Sequence, residues 1–400
     1  MVQENSAPLS ESARIVIAGL ANSGKSSLFN AIFKKDVAVV SDQEGTTTDP
    51  VTRKIELKNL GPCAVTDTAG LCDSSALGEA RLEKTRERIS QADIVILATS
   101  AKREIDKSET ELLAFLKEKK IPFFGAVTFC AGEVPSQKAA LFLDCGFVAL
   151  DLADRKEAVQ NKVEGLLALV ESKAGLLQKE PCVMDGLARE GSLVVLVAPI
   201  DKEAPKGRLI LPQAETIRDL LDKNCPALVT TPQSLGPLLD SLKRPPDLVV
   251  TDSQAFKEVA EILPQTQALT SFSILFARKK GDLKYFMESL KALDSLRPDS
   301  KICVMEACSH HMQDDDIGTV KIPAILKKRF GENLKIFHSK NLSEAEGADL
   351  AIHCGACAIS RRETLSRLEF FKERKIPVLN YGIFLAWANG LIPRAVEMFL

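Results

Sequence analysis

The chain has 400 residues, of which 45% are hydrophobic and 26% charged, and its formal net charge is −2. This length exceeds what one hydrophobic core usually organises, so two or three globular domains are expected. The near-neutral charge argues against a nucleic-acid binder, which normally presents a basic surface to phosphates. The polar amino terminus lacks the pattern of a signal peptide, and no long uncharged apolar run occurs, so we expect a cytoplasmic protein that makes no membrane contact.

The first predicted unit spans residues 1–175. Its apolar runs ARIVIAGL, CAVTDTAG, ADIVILATS and IPFFGAV have strand character, and they alternate with helical stretches such as KSSLFNAIF and SETELLAFLKEKK. This alternation predicts a parallel sheet with helices on both faces. The polar stretch SKAGLLQKEP that follows predicts a domain boundary.

Two further α/β units are predicted beyond this boundary. Residues 180–266 contain the short β-branched runs GSLVVLVAPI, PALVTT and PDLVVTD, which predict a smaller unit. Residues 270–400 contain the strand patterns KICVMEA, NLKIFHS, DLAIHC and IPVLNYG, separated by helical stretches such as RRETLSRLEFFKER. The predicted fold class is therefore α/β, with three α/β units, the last of them doubly wound.

A phosphate-binding loop is predicted near the amino terminus. Gly19 is followed after four residues by Gly24, Lys25 and Ser26, between an apolar strand and an amphipathic helix. Glycines let the backbone curl so that its N–H groups point at phosphate oxygens. We expect Lys25 to reach the β- and γ-phosphates and Ser26 to ligate Mg²⁺. A plain Gly-Ser turn is the alternative, and Lys and Ser in register disfavour it.

Two later segments stand in the order that a switch nucleotidase needs. The segment GTTTDP offers Thr46 or Thr47 as a second Mg²⁺ ligand. The segment VTDTAG places Asp67 at the end of a strand, with Gly70 able to bring its N–H against a γ-phosphate. Each match is weak alone, but together they predict nucleotide hydrolysis.

With these motifs the front of the chain resembles the translation-factor-related GTPases. The form NSGKSS, with Asn22, resembles the subgroup that uses a bound K⁺ near the phosphates, and the apolar Leu71 after the switch glycine fits that subgroup. The resemblance implies that K⁺, held partly by Asn22, supplies charge stabilisation in catalysis. The implied catalytic residues are Lys25, Asn22, Thr47, Asp67 and Gly70. The implied Mg²⁺ ligands are Ser26 and Thr47. The implied nucleotide-binding residues are Gly19, Asn22, Ser23, Gly24, Lys25, Ser26, Ser27, Thr46, Thr47, Asp67 and Gly70.

The guanine-reading element of such GTPases is missing. After the strand IPFFGAV they carry Asn-Lys-x-Asp, whose Asp binds the edge of guanine, whereas this chain has Thr128, Phe129, Cys130 and Ala131. Without that carboxylate, weak binding of GTP, recognition of the base by other groups, and loss of discrimination all stay open.

Cysteines and histidines gather near the carboxyl terminus, in CSHH and HCGAC, each directly after an apolar strand pattern. The carboxyl ends of parallel strands lie on one edge of a sheet, where ligands usually bind. We therefore expect one site built from these side chains: Cys308, Cys354 and Cys357, with His310, His311 or His353 nearby.

The residues alone leave the nature of this site open. Three thiolates with a histidine suit Zn²⁺, and three thiolates with one weaker ligand suit a four-iron cluster. A redox dithiol needs only Cys354 and Cys357. Small buried cysteines without a ligand are the remaining alternative.

Nearly the whole chain resembles the HydF family, the maturation GTPases of [FeFe]-hydrogenase. The resemblance rests on the phosphate loop, on C-x-H and HC-x-x-C, and on segments such as VAPIDKEAPKGRLILPQAETIRDLLD, DLVVTDSQAF and IGTVKIP. It implies a P-loop GTPase domain at 1–175, a dimerisation domain at 180–266 and an iron-sulfur domain at 270–400. It also implies a [4Fe-4S] cluster on Cys308, Cys354 and Cys357, with His310 and His353 as candidates for the fourth ligand.

The same resemblance implies cofactors and partners. GTP, Mg²⁺ and K⁺ are expected in the front domain, and a diiron subcluster precursor is expected as transient cargo. The expected partners are further copies of the chain, in a homodimer through the middle domain or a higher oligomer, the radical-SAM maturases HydE and HydG, and the apo-hydrogenase HydA. A zinc-stabilised GTPase of RNA or ribosome maturation is the alternative function, although neither a long Lys/Arg run nor an aromatic-rich segment supports RNA binding.

Overall fold

The structure is a computed structural model that describes residues 11–33, 42–43, 51–68, 85–152, 154, 156–173, 175, 180–200, 209–307 and 316–399. The chain divides into two compact units, Met1–Lys179 and Glu180–Leu400. In the ranges just given, no helix is both long and apolar enough to cross a membrane.

The first unit contains one sheet whose order is β2-β3-β4-β1-β5-β6-β7. Its strands are β1 (Ala13–Ala18), β2 (Asp42–Gln43), β3 (Val51–Leu57), β4 (Gly61–Asp67), β5 (Ile94–Ser100), β6 (Phe123–Thr128) and β7 (Phe147–Leu150). Its helices are α1 (Lys25–Phe33), α2 (Lys107–Glu118), α3 (Ser136–Ala140) and α4 (Lys156–Ser172), with a further helical turn at residues 85–90.

The strands at the centre of this sheet run parallel and are largely apolar. Every residue of β5 and β6 is buried, as expected for strands covered on both faces. Strand β3 pairs antiparallel with β2 on one side and with β4 on the other, where Thr52 lies opposite Thr66. The predicted parallel sheet therefore carries an antiparallel edge. The mixed polar and apolar sequence of β3, VTRKIEL, fits a partly exposed antiparallel strand near the edge of the sheet.

The second unit contains two four-stranded sheets, with the orders β11-β10-β8-β9 and β13-β12-β14-β15. The strands are β8 (Val194–Val197), β9 (Ala227–Thr230), β10 (Leu248–Thr251), β11 (Leu269–Ser271), β12 (Lys301–Met305), β13 (Lys335–Ser339), β14 (Leu350–His353) and β15 (Val378–Asn380). The helices are α5 (Leu211–Asp222), α6 (Pro232–Ser241), α7 (Phe256–Ile262), α8 (Phe272–Lys280), α9 (Leu283–Ser289), α10 (Ile322–Phe330), α11 (Arg361–Glu373) and α12 (Tyr381–Ala388).

Both of these sheets are parallel throughout. The α/β fold class with three sheet units is confirmed, although the last two sheets share one compact unit. Strand β11, at Leu269–Ser271, pairs with β10, so the second sheet extends beyond the limit of residue 266 that the sequence predicts. In the third sheet Met305 of β12 lies opposite His353 of β14, which brings the carboxyl ends of these strands side by side.

Candidate functional site

The phosphate loop has the backbone shape that its glycines predict. Gly19 and Gly24 have φ angles of 150° and 85°, in the region that favours glycine. A Cβ on Gly24 would lie 3.1 Å from the Thr128 side chain and 3.2 Å from the ring of Phe129. Glycine is therefore needed for conformation and for space, and the loop runs from the end of β1 directly into helix α1.

Lys25 lies inside this loop with its ammonium held in place. The side chain is buried, and Nζ donates a hydrogen bond of 2.7 Å to the carbonyl oxygen of Leu20. Burial lowers the pKa of Lys25, while the charge of Asp67 opposes that shift. A buried cation in a curled loop is suited to an anionic phosphate, because the attraction between opposite charges is stronger in a medium of low dielectric constant.

Asp67 stands beside the loop at the end of β4, as the sequence predicts. Its carboxylate accepts a hydrogen bond from the Ser26 side chain, and burial raises the pKa of Asp67 while Ser26 and Lys25 lower it. Among the residues described, Asp67 Oδ1 and Ser23 Oγ are buried without a hydrogen-bond partner. Buried oxygens are normally satisfied, so these two atoms fit a site completed by Mg²⁺ and phosphate.

Residues 128–131, which stand where Asn-Lys-x-Asp would be, include one residue with a structural role. Thr128 Oγ1 donates to the carbonyl oxygen of Ser23 at 2.7 Å, so it ties the end of β6 to the phosphate loop. Phe129 follows with a positive φ of 55°, and the ammonium of Lys102 lies 5.5 Å from the centre of its ring. Ala131 is exposed and offers no polar group. Sequence reasoning registered the lost carboxylate but missed the contact from Thr128.

Several predicted site residues fall outside the part of the chain that the structure describes. They are Thr46, Thr47 and Gly70 of the nucleotide site, and Cys308, His310 and His311 of the cysteine site.

The cysteine turn, residues 353–357, lies at the carboxyl end of β14. Cys354 N–H donates to the carbonyl oxygen of Met305, and the N–H of Ala307 donates to Cys354 Sγ at 3.2 Å. Ala307 directly precedes Cys308, so the segment that leads to Cys308 contacts the sulfur of Cys354. Ala356, between the two cysteines, has a φ of 54°, which turns the chain back towards α11.

Both ring nitrogens of His353 are occupied. Nε2 lies 2.9 Å from Arg367 Nε, and Nδ1 lies 2.9 Å from the carbonyl oxygen of Cys354. Because the arginine can only donate, Nε2 accepts, and the ring proton sits on Nδ1 and is donated to Cys354. His353 is buried, so this arrangement fixes its orientation. The sequence predicted His353 as a candidate ligand but contained no sign of Arg367.

Cys357 faces a different environment from Cys354. Burial raises the pKa of the Cys357 thiol, the neighbouring Cys354 raises it further, and Lys280 lowers it. Lys280 Nζ donates to the carbonyl oxygens of Cys357 at 3.0 Å and Ile359 at 2.9 Å. Within the described ranges no group of three His, Cys, Asp or Glu side chains is placed to hold a metal ion, and position 308 is outside those ranges.

Three family models match this chain. Residues 14–129 match a 50S ribosome-binding GTPase model, residues 183–281 the hydrogen maturase F dimerization domain, and residues 284–398 the hydrogen maturase F tetramerization domain. The two maturase models together span more than half of the chain. The chain belongs to the hydrogen maturase F family. The chain carries a GTPase domain, which supports hydrolysis of GTP with Mg²⁺, and the dimerization and tetramerization domains of this hydrogenase-maturation family.

Curated relatives match the GTPase part of the HydF chain. The tRNA modification GTPase MnmE of Clostridioides difficile is 29% identical over 163 residues, which is 40% of this chain and 35% of the relative. MnmE of Carboxydothermus hydrogenoformans is 35% identical over 135 residues, or 33% and 29% of the two chains. This chain thus spans about a third of the length of these relatives. The structure of Aquifex aeolicus Era bound to GDP and AlF4⁻ matches with 15% identity and a TM-score of 0.32, covering 55% of this chain and 93% of that one.

Proposed function

We propose that this HydF chain is an iron-sulfur scaffold that assembles or delivers the diiron subcluster precursor to the apo-hydrogenase HydA. Its GTPase domain would regulate association with HydA and with the maturases HydE and HydG. The observation that carries the proposal is the hydrogen bond from Ala307 N–H to Cys354 Sγ, which joins the two cysteine-bearing strand ends at one edge of the third sheet. A single C-x-x-C turn without that junction would fit a dithiol equally well.

The donor set fits a [4Fe-4S] cluster held by Cys308, Cys354 and Cys357. Sulfur atoms of such clusters commonly accept backbone N–H bonds, as Cys354 does from Ala307. Three cysteines leave one iron open to an exchangeable ligand, and the cluster so held supplies a position where cargo can bind and leave.

The role of His353 in this proposal is to orient the turn. Its Nδ1–H holds the Cys354 carbonyl, and its Nε2 is engaged by Arg367, which itself donates through Nη2 to the carbonyl oxygen of Lys340. Ligation through Nε2 would break the bond from Arg367 and leave a buried guanidinium N–H unsatisfied. We therefore propose that His353 leaves the fourth position to cargo or to another ligand.

Anaerobic reconstitution with iron and sulfide, followed by metal analysis and EPR spectroscopy, tests the cluster. About four irons per chain and the signal of a reduced four-iron cluster are expected. A stoichiometric zinc ion without iron would instead favour a zinc-stabilised GTPase. The curated relatives act in tRNA modification, but their match lies in the GTPase part of this chain, whereas the cysteine turn lies in the part that matches the maturase models.

The proposed K⁺ role of Asn22 leads to a prediction about ion dependence. Asn22 is exposed at the loop and has a φ of 58°. We expect faster GTP hydrolysis in K⁺ than in Na⁺, and loss of that difference in Asn22→Ala, measured as phosphate release in the two salts. Asn22→Gly is the matched control, because glycine adopts the same φ without strain but lacks the carboxamide. If either variant kept the wild-type ratio of rates, the carboxamide would have no role in K⁺ binding.

A second prediction concerns the nucleotide base. Phe129 lies beside the phosphate loop where Asn-Lys-x-Asp would place a lysine stem, so we propose that the base packs on its ring. Aromatic stacking accepts every base, and we expect GTP to be preferred over ATP less strongly than an intact element would allow. Phe129→Ala should weaken both nucleotides about tenfold, in line with ~1–3 kcal/mol for one stacked base. Competition binding of GTP and ATP measures this, and tight, selective GTP binding would show that another group reads guanine.

A further inference from the structure

A buried lysine lies beneath the cysteine turn. Lys280 is the last residue of helix α8, and its side chain is only 1% exposed. Its ammonium donates to two carbonyl oxygens of one short segment, those of Cys357 and Ile359, at 3.0 and 2.9 Å. The ring of Phe276 lies on another side, with its centre 5.5 Å from Nζ. The cation is thus placed against the chain that carries Cys357.

Within the described residues, no carboxylate forms an ion pair with Lys280. The acidic side chains whose charges act most on Lys280 are Glu215 and Glu180. Both pair with the adjacent Lys279, at 2.5 and 3.7 Å from its Nζ. A buried charge is costly unless something compensates it, and carbonyl dipoles compensate it only in part. The missing counter-charge is expected on the other side of the contact, at the thiolates of the turn.

We propose that Lys280 is the positioning and charge-compensating residue of the iron-sulfur site, and this rests on the proposed function. Lys280 fixes the Cys357 carbonyl and puts a positive charge near the Cys357 sulfur. A site with three thiolates bears a net negative charge when loaded, and one-electron reduction adds one more. Lys280 therefore stabilises the reduced form more than the oxidised form, with no proton transferred.

The test uses reconstituted full-length protein in three variants. Lys280→Met removes the charge and the N–H donors, Lys280→Gln removes the charge but keeps N–H donors, and Lys279→Met removes a neighbouring charge that glutamates already compensate. Each is loaded with iron and sulfide, its iron content is determined, and its midpoint potential is measured by EPR-monitored titration with dithionite and mediator dyes. Thermal melting of each apoprotein shows whether it folds.

We expect Lys280→Met and Lys280→Gln to have more negative midpoint potentials than the wild type and Lys279→Met. At a fixed potential the ratio of reduced to oxidised cluster should fall about tenfold, which corresponds to about 59 mV for one electron. A wild-type potential in folded Lys280→Gln would overturn the inference, because the contact would then act only through hydrogen bonding. An equal shift in Lys279→Met would overturn it too. Absence of iron in the wild type would overturn the proposed function itself.

Discussion

Replacing Lys25 by alanine is expected to lower GTP hydrolysis by at least about 100-fold, since removing one preorganised charge-stabilising donor typically costs 10²–10³ in rate. The buried Lys25 ammonium bonds to Leu20 and is positioned to move to a phosphate when a nucleotide enters the loop. Alanine removes that charge, and within the described part of the chain the Leu20 carbonyl is the group that loses a hydrogen bond. Single-turnover phosphate release measures the effect.

The matched control for Lys25→Ala is Lys117→Ala on helix α2 of the same unit. Lys117 is 60% exposed and lies 3.9 Å from Asp144, so its removal should change neither hydrolysis nor folding appreciably. Far-UV circular dichroism and melting temperature of both variants separate a lost catalytic group from a damaged fold. Wild-type turnover in a folded Lys25→Ala protein would contradict the assignment of this loop.

The sheets were predictable because their strands are short apolar runs. Strands β5, β6, β12 and β14 are buried almost throughout, and such runs between helical patterns have few other places in a folded chain. The antiparallel edge formed by β2 and β3 was not predictable from the same signal, because periodicity identifies a strand but does not give the direction of its neighbour.

The predicted nucleotide-site residues that the structure describes have positions fixed by local chain geometry. Gly19, Gly24, Lys25 and Asp67 follow strands or open a helix, so spacing along the sequence indicates where they lie. In the structure Lys25, Ser26 and Asp67 lie together.

The residues that sequence reasoning missed act over long separations. Arg367 reaches His353 across 14 residues, Lys280 reaches Cys357 across 77, and Thr128 reaches Ser23 across 105. Each contact depends on how elements distant in the sequence pack together, which no local pattern encodes. Lys280 was also missed because it lies in the last turn of a helix, where the favourable interaction with the helix dipole is the usual explanation for a lysine.

Replacing Cys354 by serine is expected to cost the protein most of its reconstituted iron. Cys354 Sγ accepts the hydrogen bond from Ala307. Loss of the Cys354 thiolate would leave two thiolates, too few to retain a four-iron cluster. Serine preserves the size of the side chain, so the core beneath the turn should remain packed. Iron analysis after anaerobic reconstitution and removal of unbound metal is the measurement.

Cys225→Ser is the control for this substitution. Cys225 is buried in the same unit and donates to the carbonyl oxygen of Arg189 at 3.0 Å, a hydrogen bond that a serine hydroxyl can also make. We expect this variant to keep wild-type iron. His353→Ala should also keep its iron, with an altered EPR spectrum, because Arg367 already engages the ring nitrogen that a ligand would use. Iron loss in His353→Ala as large as in Cys354→Ser would make His353 a ligand and would require Arg367 to release it when the cluster binds.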